Sequence, residues 1–175
     1  MWIATLDHQI FEYLTLFANP PWLTALCERI GDMKSYAIPV IVFWAVYLYR
    51  ERMRALRFLF FLIAAFALSE FTAHLLKELF QRPRPAVEWL IYIDPKALGF
   101  PSAHAMNTMV LAVLLADWFK KSFLWFLPLP LVVGASRVFA NYHYPFDVIG
   151  GWFIGYVLGI VVMRLKASAN SEQWR

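Results

Sequence analysis

From residue 2 to 18 the apolar positions Ile3, Leu6, Ile10, Tyr13, Leu14 and Phe17 recur at helical spacing, with Asp7 and Glu12 set between them. That pattern predicts an amphipathic helix lying at a membrane interface. Asn19-Pro20-Pro21 ends it, since proline lacks the N–H a helix interior needs and disfavours a helical residue before it. A second amphipathic piece, LTALCERIGDMK, follows. Beyond it the pattern changes to apolar runs with few interruptions, at 35–49, 57–79, 103–119, 122–139 and 145–164. Each approaches the roughly 20 residues an α-helix needs to cross a bilayer. The first can extend backwards into the amphipathic piece. The fourth contains Pro128 and Pro130 and is expected to be kinked or broken there. The expected fold is all-α, a polytopic transmembrane helical bundle of about five spans. It forms one domain, with interfacial helices over 1–34, the bundle over 35–166 and a polar cytoplasmic tail over 167–175.

Composition strengthens the membrane reading. Of 175 residues, 61% are hydrophobic and 18% aromatic, against about 45–50% apolar in a soluble domain, so the excess must face lipid. A single cysteine, Cys27, excludes an intrachain disulfide and reads as a small buried apolar residue. The N-terminal stretch carries Asp7 and Glu12 and lacks a basic leading region, so it is not expected to be a cleavable signal peptide.

Charge sets the orientation. Arg50, Arg52, Arg54, Arg57, Lys120, Lys121, Arg164, Lys166 and Arg175 fall on one side of the expected spans, and the remaining Lys and Arg on the other. The bias is small until Lys77, Arg84 and Arg137 are set aside as held by chemistry. The positive-inside rule then places 50–57, 120–121 and the C-terminus in the cytoplasm. The loop 81–101 and the stretch 136–147 face outward together.

Span parity thus brings three separated segments to one face: KELFQRPRP (77–85), PSAH (101–104) and SRVFANYHYPFD (136–147). Ionisable residues at membrane depth are functional candidates because burying them costs free energy. Three converging cations suit a phosphate, arginine offering a planar fork and lysine a point charge. Ser102 stands where an N-cap would, so the helix it opens offers N–H groups and a favourable dipole to an anion. Two histidines suit displacement at phosphorus, one attacking and the other protonating the departing oxygen. Asp147 lies four residues beyond His143, across Pro145. A proline opening a helix would let this carboxylate reach back and set the imidazole's tautomer.

The arrangement Lys77-x6-Arg84-Pro85, Pro101-Ser102-x-His104 and Ser136-Arg137-x5-His143-x3-Asp147 resembles the three-part signature of the type 2 phosphatidic acid phosphatase superfamily. That superfamily also contains vanadium-dependent haloperoxidases. The resemblance implies His143 as a nucleophile forming a phosphohistidine, Asp147 as its orienting acid and His104 as general acid. It implies Lys77, Arg84, Ser102 and Arg137 as phosphoryl ligands, with no metal and no cofactor. Where the family usually has glycine, this chain has Ala103, which is expected to take an ordinary backbone angle with its N–H still aimed at phosphate. Arg82-Pro83 is a competing pair, but only Arg84 fits the six-residue spacing, so Arg82 is assigned to a lipid headgroup.

Blander uses stand beside these. Interfacial lysine and arginine often snorkel to headgroups, and His104 could be an ordinary hydrogen-bonded histidine. Glu70 and His74 share a helical face with Lys77, either tuning the site or forming a packed polar pair. His8 reads as interfacial. Gly151, Gly155 and Gly159 permit close helix approach, used inside the monomer rather than for dimerisation. Trp89 and Tyr92 could border a substrate entrance.

Almost no soluble mass is expected outside the bilayer, so the favoured substrate is a lipid phosphate or diphosphate arriving laterally. Small bacterial relatives of this architecture suggest undecaprenyl pyrophosphate or lipid A 1-phosphate, then phosphatidylglycerol phosphate or phosphatidic acid. No nucleic-acid partner is expected. A site facing the periplasm from the inner membrane follows from the orientation. A haloperoxidase, or a protein that binds or flips lipid phosphates without cleaving them, are the alternatives from other classes.

Overall fold

The computed structural model describes residues 2–17, 20–85 and 98–172. Trp89 and Tyr92, read above as bordering an entrance, lie outside the described residues. Among the described residues, seven α-helices run in chain order: α1 (Trp2–Phe17), α2 (Pro21–Gly31), α3 (Ala37–Arg50), α4 (Arg52–Phe80), α5 (Ala103–Phe119), α6 (Pro128–Phe139) and α7 (Pro145–Glu172). Short 3-10 turns cover Met33–Tyr36 and Phe123–Trp125.

The helices α4 and α7 are long and apolar enough to cross a membrane. The other expected spans differ in detail. The amphipathic piece does not extend the first span as one helix: Asp32 caps the 3-10 turn by accepting the Lys34 N–H and leaves α3 with 14 residues. The fourth is broken, as its prolines predict, and α6 begins at Pro128 with 12 residues. The tail expected over 167–175 continues α7 as helix to Glu172, because no Gly or Pro stops it there.

The helices α4 to α7 form the bundle, with α5 and α7 in the closest register. The glycine face of α7 explains that approach. A Cβ on Gly155 would lie 2.4 Å from the Met106 carbonyl oxygen, and one on Gly159 would lie 2.8 Å from the Val113 Cβ. The small-residue stripe therefore packs inside the monomer. At the Arg50 end, Tyr47, Phe58, Val110, Leu114 and Val162 form a core, with Phe58 stacked on Trp118 and the Trp118 indole N–H donating to the Tyr47 hydroxyl at 2.7 Å. Outward faces stay apolar: Phe60, Ile63 and Phe71 of α4 are 67%, 60% and 68% exposed. Such surface is stable only against lipid.

The N-terminal helices do more than coat an interface. The helix α2 packs along α6, and α1 packs on α6 and α7. Phe11 and Leu14 of α1 close a second core around Ala105, Val138 and Val148. This core lies at the end of the bundle where α4 and α6 finish and α5 and α7 begin.

Candidate active site

Each polar segment sits at a helix terminus at that end. Lys77 is in the last turn of α4, which stops at Gln81 in the left-handed region (φ 44°). The chain then runs through Arg82 and Arg84, and the far end of the loop is pinned back onto it. The Gly99 N–H donates to the Arg82 carbonyl at 2.6 Å, and Arg84 Nε donates to the Leu98 carbonyl at 3.2 Å.

Ser102 occupies the N-cap position of α5, but its side chain does not cap the helix. It is fully buried, and its Oγ has no hydrogen-bond partner among the described residues. Its N–H donates to the Asp147 carbonyl at 3.0 Å. Its own carbonyl lies so close to α7 that a Cβ on Gly151 would come within 2.7 Å of it. Ala103 opens the helix with an ordinary φ, so alanine costs the loop no strain. His104 follows, exposed.

The α6–α7 turn is built by one carbonyl. Both Tyr142 and His143 donate their N–H to Arg137 O, at 3.0 and 3.2 Å, as Asn141 reverses the chain at φ 60°. Asparagine tolerates that region better than most residues. Pro145 then starts α7 and places Asp147 in its first turn. The fully buried carboxylate accepts the Tyr144 N–H at 3.0 Å through Oδ2, the backward half of a capping box. The same oxygen lies 3.5 Å from His143 Nδ1. Asp147 thus reaches back to the histidine, with Nε2 left on the other side of the ring.

His143 is 2% exposed. Burial pushes its pKa down to about 4, with Arg84 and Lys77 lowering it further and Asp147 opposing them. A neutral imidazole near neutral pH is what a nucleophile requires. Arg84 and Arg137 also act electrostatically on His104. The expected constellation therefore shares one electrostatic neighbourhood at one end of the bundle.

Arg137 is 6% exposed. Its guanidinium lies 4.5 Å from the Tyr142 ring centroid and rests directly on Gly31 at the end of α2. The Gly31 backbone also acts on the His104 ring. The sequence reading left α2 out of the site, because an amphipathic stretch carries no sign of which polar group its glycine will face.

Two further readings are corrected. Arg82 does not reach for a headgroup: Nη1 donates to Asp147 Oδ1 at 2.8 Å and Nη2 to Asp7 Oδ2. Asp7 is not an interruption on an exposed surface but fully buried, and it also accepts the Phe146 N–H at 3.0 Å. His8, exposed on α1, also pairs with the Tyr144 hydroxyl at 2.7 Å. Two carboxylates converging on one guanidinium offset its desolvation better than a mobile headgroup would. Glu70 accepts from Asn107 of α5 at 2.5 Å and acts electrostatically on Lys77; Asn107 was not foreseen.

Comparison with known proteins adds four findings. The family model of the PAP2 superfamily matches residues 58–171. Phosphatidylglycerophosphatase B of Bacillus subtilis (strain 168) is 27% identical over 176 residues, covering 91% of this chain and 83% of that one. The undecaprenyl-diphosphatase of Sulfolobus acidocaldarius is 28% identical over 110 residues, 61% of this chain and 52% of that one. Among solved structures, the crystal structure of a transmembrane PAP2 type phosphatidylglycerolphosphate phosphatase from Bacillus subtilis aligns with a TM-score of 0.70 at 25% identity. The alignment covers 95% of this chain and 87% of that one.

Proposed function

The chain belongs to the PAP2 superfamily and is a membrane-embedded phosphatase, and from that premise we propose that it hydrolyses a lipid phosphate or diphosphate through a phosphohistidine. His143 Nε2 attacks phosphorus in line and the bond to the leaving oxygen breaks. His104 supplies the proton that oxygen takes. Water, deprotonated by His104, then attacks the phosphohistidine, releasing phosphate and restoring the neutral imidazole. Lys77, Arg84 and Arg137 balance the charge on the phosphoryl oxygens, and the buried Ser102 Oγ and the Ala103 N–H at the start of α5 complete the cradle. Asp147 keeps the proton of His143 on Nδ1 and stabilises the cation that forms on attack.

The observation that carries this reading is the buried His143–Asp147 pair, on which Arg84 and Lys77 act electrostatically. A protein that only gripped or flipped lipid phosphates would gain nothing from a buried neutral histidine oriented by a carboxylate.

The substrate is membrane-borne. Exposed apolar faces surround the bundle, so a phosphate at headgroup depth reaches the site laterally. Undecaprenyl pyrophosphate and lipid A 1-phosphate are the first candidates. Phosphatidylglycerol phosphate is a second reading, favoured by the Bacillus relative aligned along most of its length. The distribution of Lys and Arg supports an inner-membrane protein with the site at the periplasmic face and the C-terminus in the cytoplasm.

The test is phosphate release by purified protein, without added metal, across a panel of these lipids, beside His143→Ala. Release from at least one lipid, abolished in the variant, is the expected result. Variant turnover above about a tenth of wild type would remove His143 as nucleophile, since loss of a nucleophile normally costs several orders of magnitude.

A further inference from the structure

The proposed mechanism uses one side of Asp147. Its Oδ2 accepts the Tyr144 N–H and lies 3.5 Å from His143 Nδ1, while its Oδ1 is held by Arg82. Arg82 is held in turn from outside the bundle. Its second nitrogen donates to Asp7 on α1, a residue 75 positions away in sequence. The guanidinium lies 4.7 Å from the Tyr144 ring centroid. Asp7 uses its two oxygens separately, Oδ2 for Arg82 and Oδ1 for the Phe146 N–H at the start of α7. His8 and Phe11, on the same helix, contact Tyr144. Asp7 and Asp147 are both 0% exposed.

We propose that Asp7 is a positioning residue of the active site: by anchoring one end of the Arg82 fork it sets Asp147, and through it His143, so that α1 is part of the catalytic unit. The reasoning is geometric. A guanidinium bound at one end can swing about that bond; bound at both ends by carboxylates it cannot turn without breaking a charge-assisted hydrogen bond to a fully buried acid. If Arg82 swings, Asp147 Oδ1 is left buried and unpaired, and the carboxylate rotates to recover a donor. The tautomer and direction of His143 go with it. Arg82 also carries the carbonyl that receives Gly99, a backbone bond that does not depend on where its guanidinium points. Nothing in the 58–171 stretch matched by the family model includes Asp7.

This inference rests on the histidine mechanism proposed above, and the experiment separates the two. In Asp7→Asn the side chain keeps its volume and one acceptor for Phe146 but loses the charge that holds Arg82. With a lipid phosphate from the panel, kcat should fall about tenfold or more, the size of coupling seen between directly bonded residues. KM and inhibition by inorganic phosphate should stay within about twofold, because the phosphate ligands are untouched. Should Asp7→Asn fail to fold, Arg82→Lys carries the same test, since lysine keeps the charge but cannot span two carboxylates. Wild-type kcat in a folded variant overturns the role, as does parallel weakening of kcat and phosphate inhibition. An active His143→Ala defeats the histidine mechanism itself; an inactive one beside an unchanged Asp7→Asn defeats only the role of Asp7.

Discussion

Gly31→Ala is a one-methyl test of whether Arg137 grips the phosphate. The added Cβ would lie 1.4 Å from Arg137 Nη1, 2.4 Å from Cζ and 3.0 Å from Nη2. Ordinary contact begins at 3.4 Å, so the nearest nitrogen must retreat by about 2.0 Å (3.4 less 1.4). The backbone loses nothing: Gly31 is helical with no positive φ, and alanine favours a helix by up to about 1 kcal/mol over glycine. The strain falls on the far end of a flexible side chain. A displacement of 2 Å breaks a hydrogen bond, and one to a charged group is worth about 1.5–3 kcal/mol. At about 1.4 kcal/mol per tenfold, kcat/KM should drop about ten- to a hundredfold. The assay is lipid-phosphate hydrolysis in detergent, with thermal melting alongside to show the fold intact. In an Arg137→Ala background the same substitution should do almost nothing further. Undiminished kcat/KM in Gly31→Ala, with a normal melting temperature, would refute the reasoning, because the guanidinium cannot both stay in place and admit the methyl group.

Two further outcomes follow from the packing and the buried imidazole. Because His143 holds its pKa near 4 in the folded protein against an ordinary 6.5, the unfolded chain binds a proton between those values that the folded protein refuses. The stability from this group is complete above pH 6.5 and lost as pH falls towards 4, amounting to about 3 kcal/mol at most. Melting temperatures at pH 7.5 and 5 should show the drop, and His143→Gln should lessen it; an equal drop in both proteins would exclude His143 as its source. Gly155→Val should destabilise by about 1–3 kcal/mol, because its Cβ meets the Met106 backbone 2.4 Å away and α5 cannot yield without moving Ser102. An unshifted melting temperature would mean that the two helices are less tightly packed than this geometry requires.

Much of this protein is legible along the chain because membranes impose simple rules. Long apolar runs cannot satisfy their backbone in lipid except as helix, so α4, α5 and α7 stand close to their expected places, and Pro128 and Pro130 break the segment before α6 as prolines must. The motif residues are legible too. Span parity alone carries Lys77, Ser102, His104, Arg137 and His143 to one end of the bundle, and a four-residue step across Pro145 brings Asp147 back towards the imidazole. Local spacing and crossing number determine all of that.

What local pattern could not decide is who answers whom across the bundle. Asp7 and Arg82 look alike on paper to any other charges near a headgroup, since burial depends on which helix lands above them. Only when α1 packs on the start of α7 does the carboxylate become dry, and only then does a bidentate cation between two acids become the stable arrangement. The same holds for Gly31. Its value lies in a missing methyl group beneath Arg137, and an absence of atoms has meaning only against a neighbour that the fold supplies.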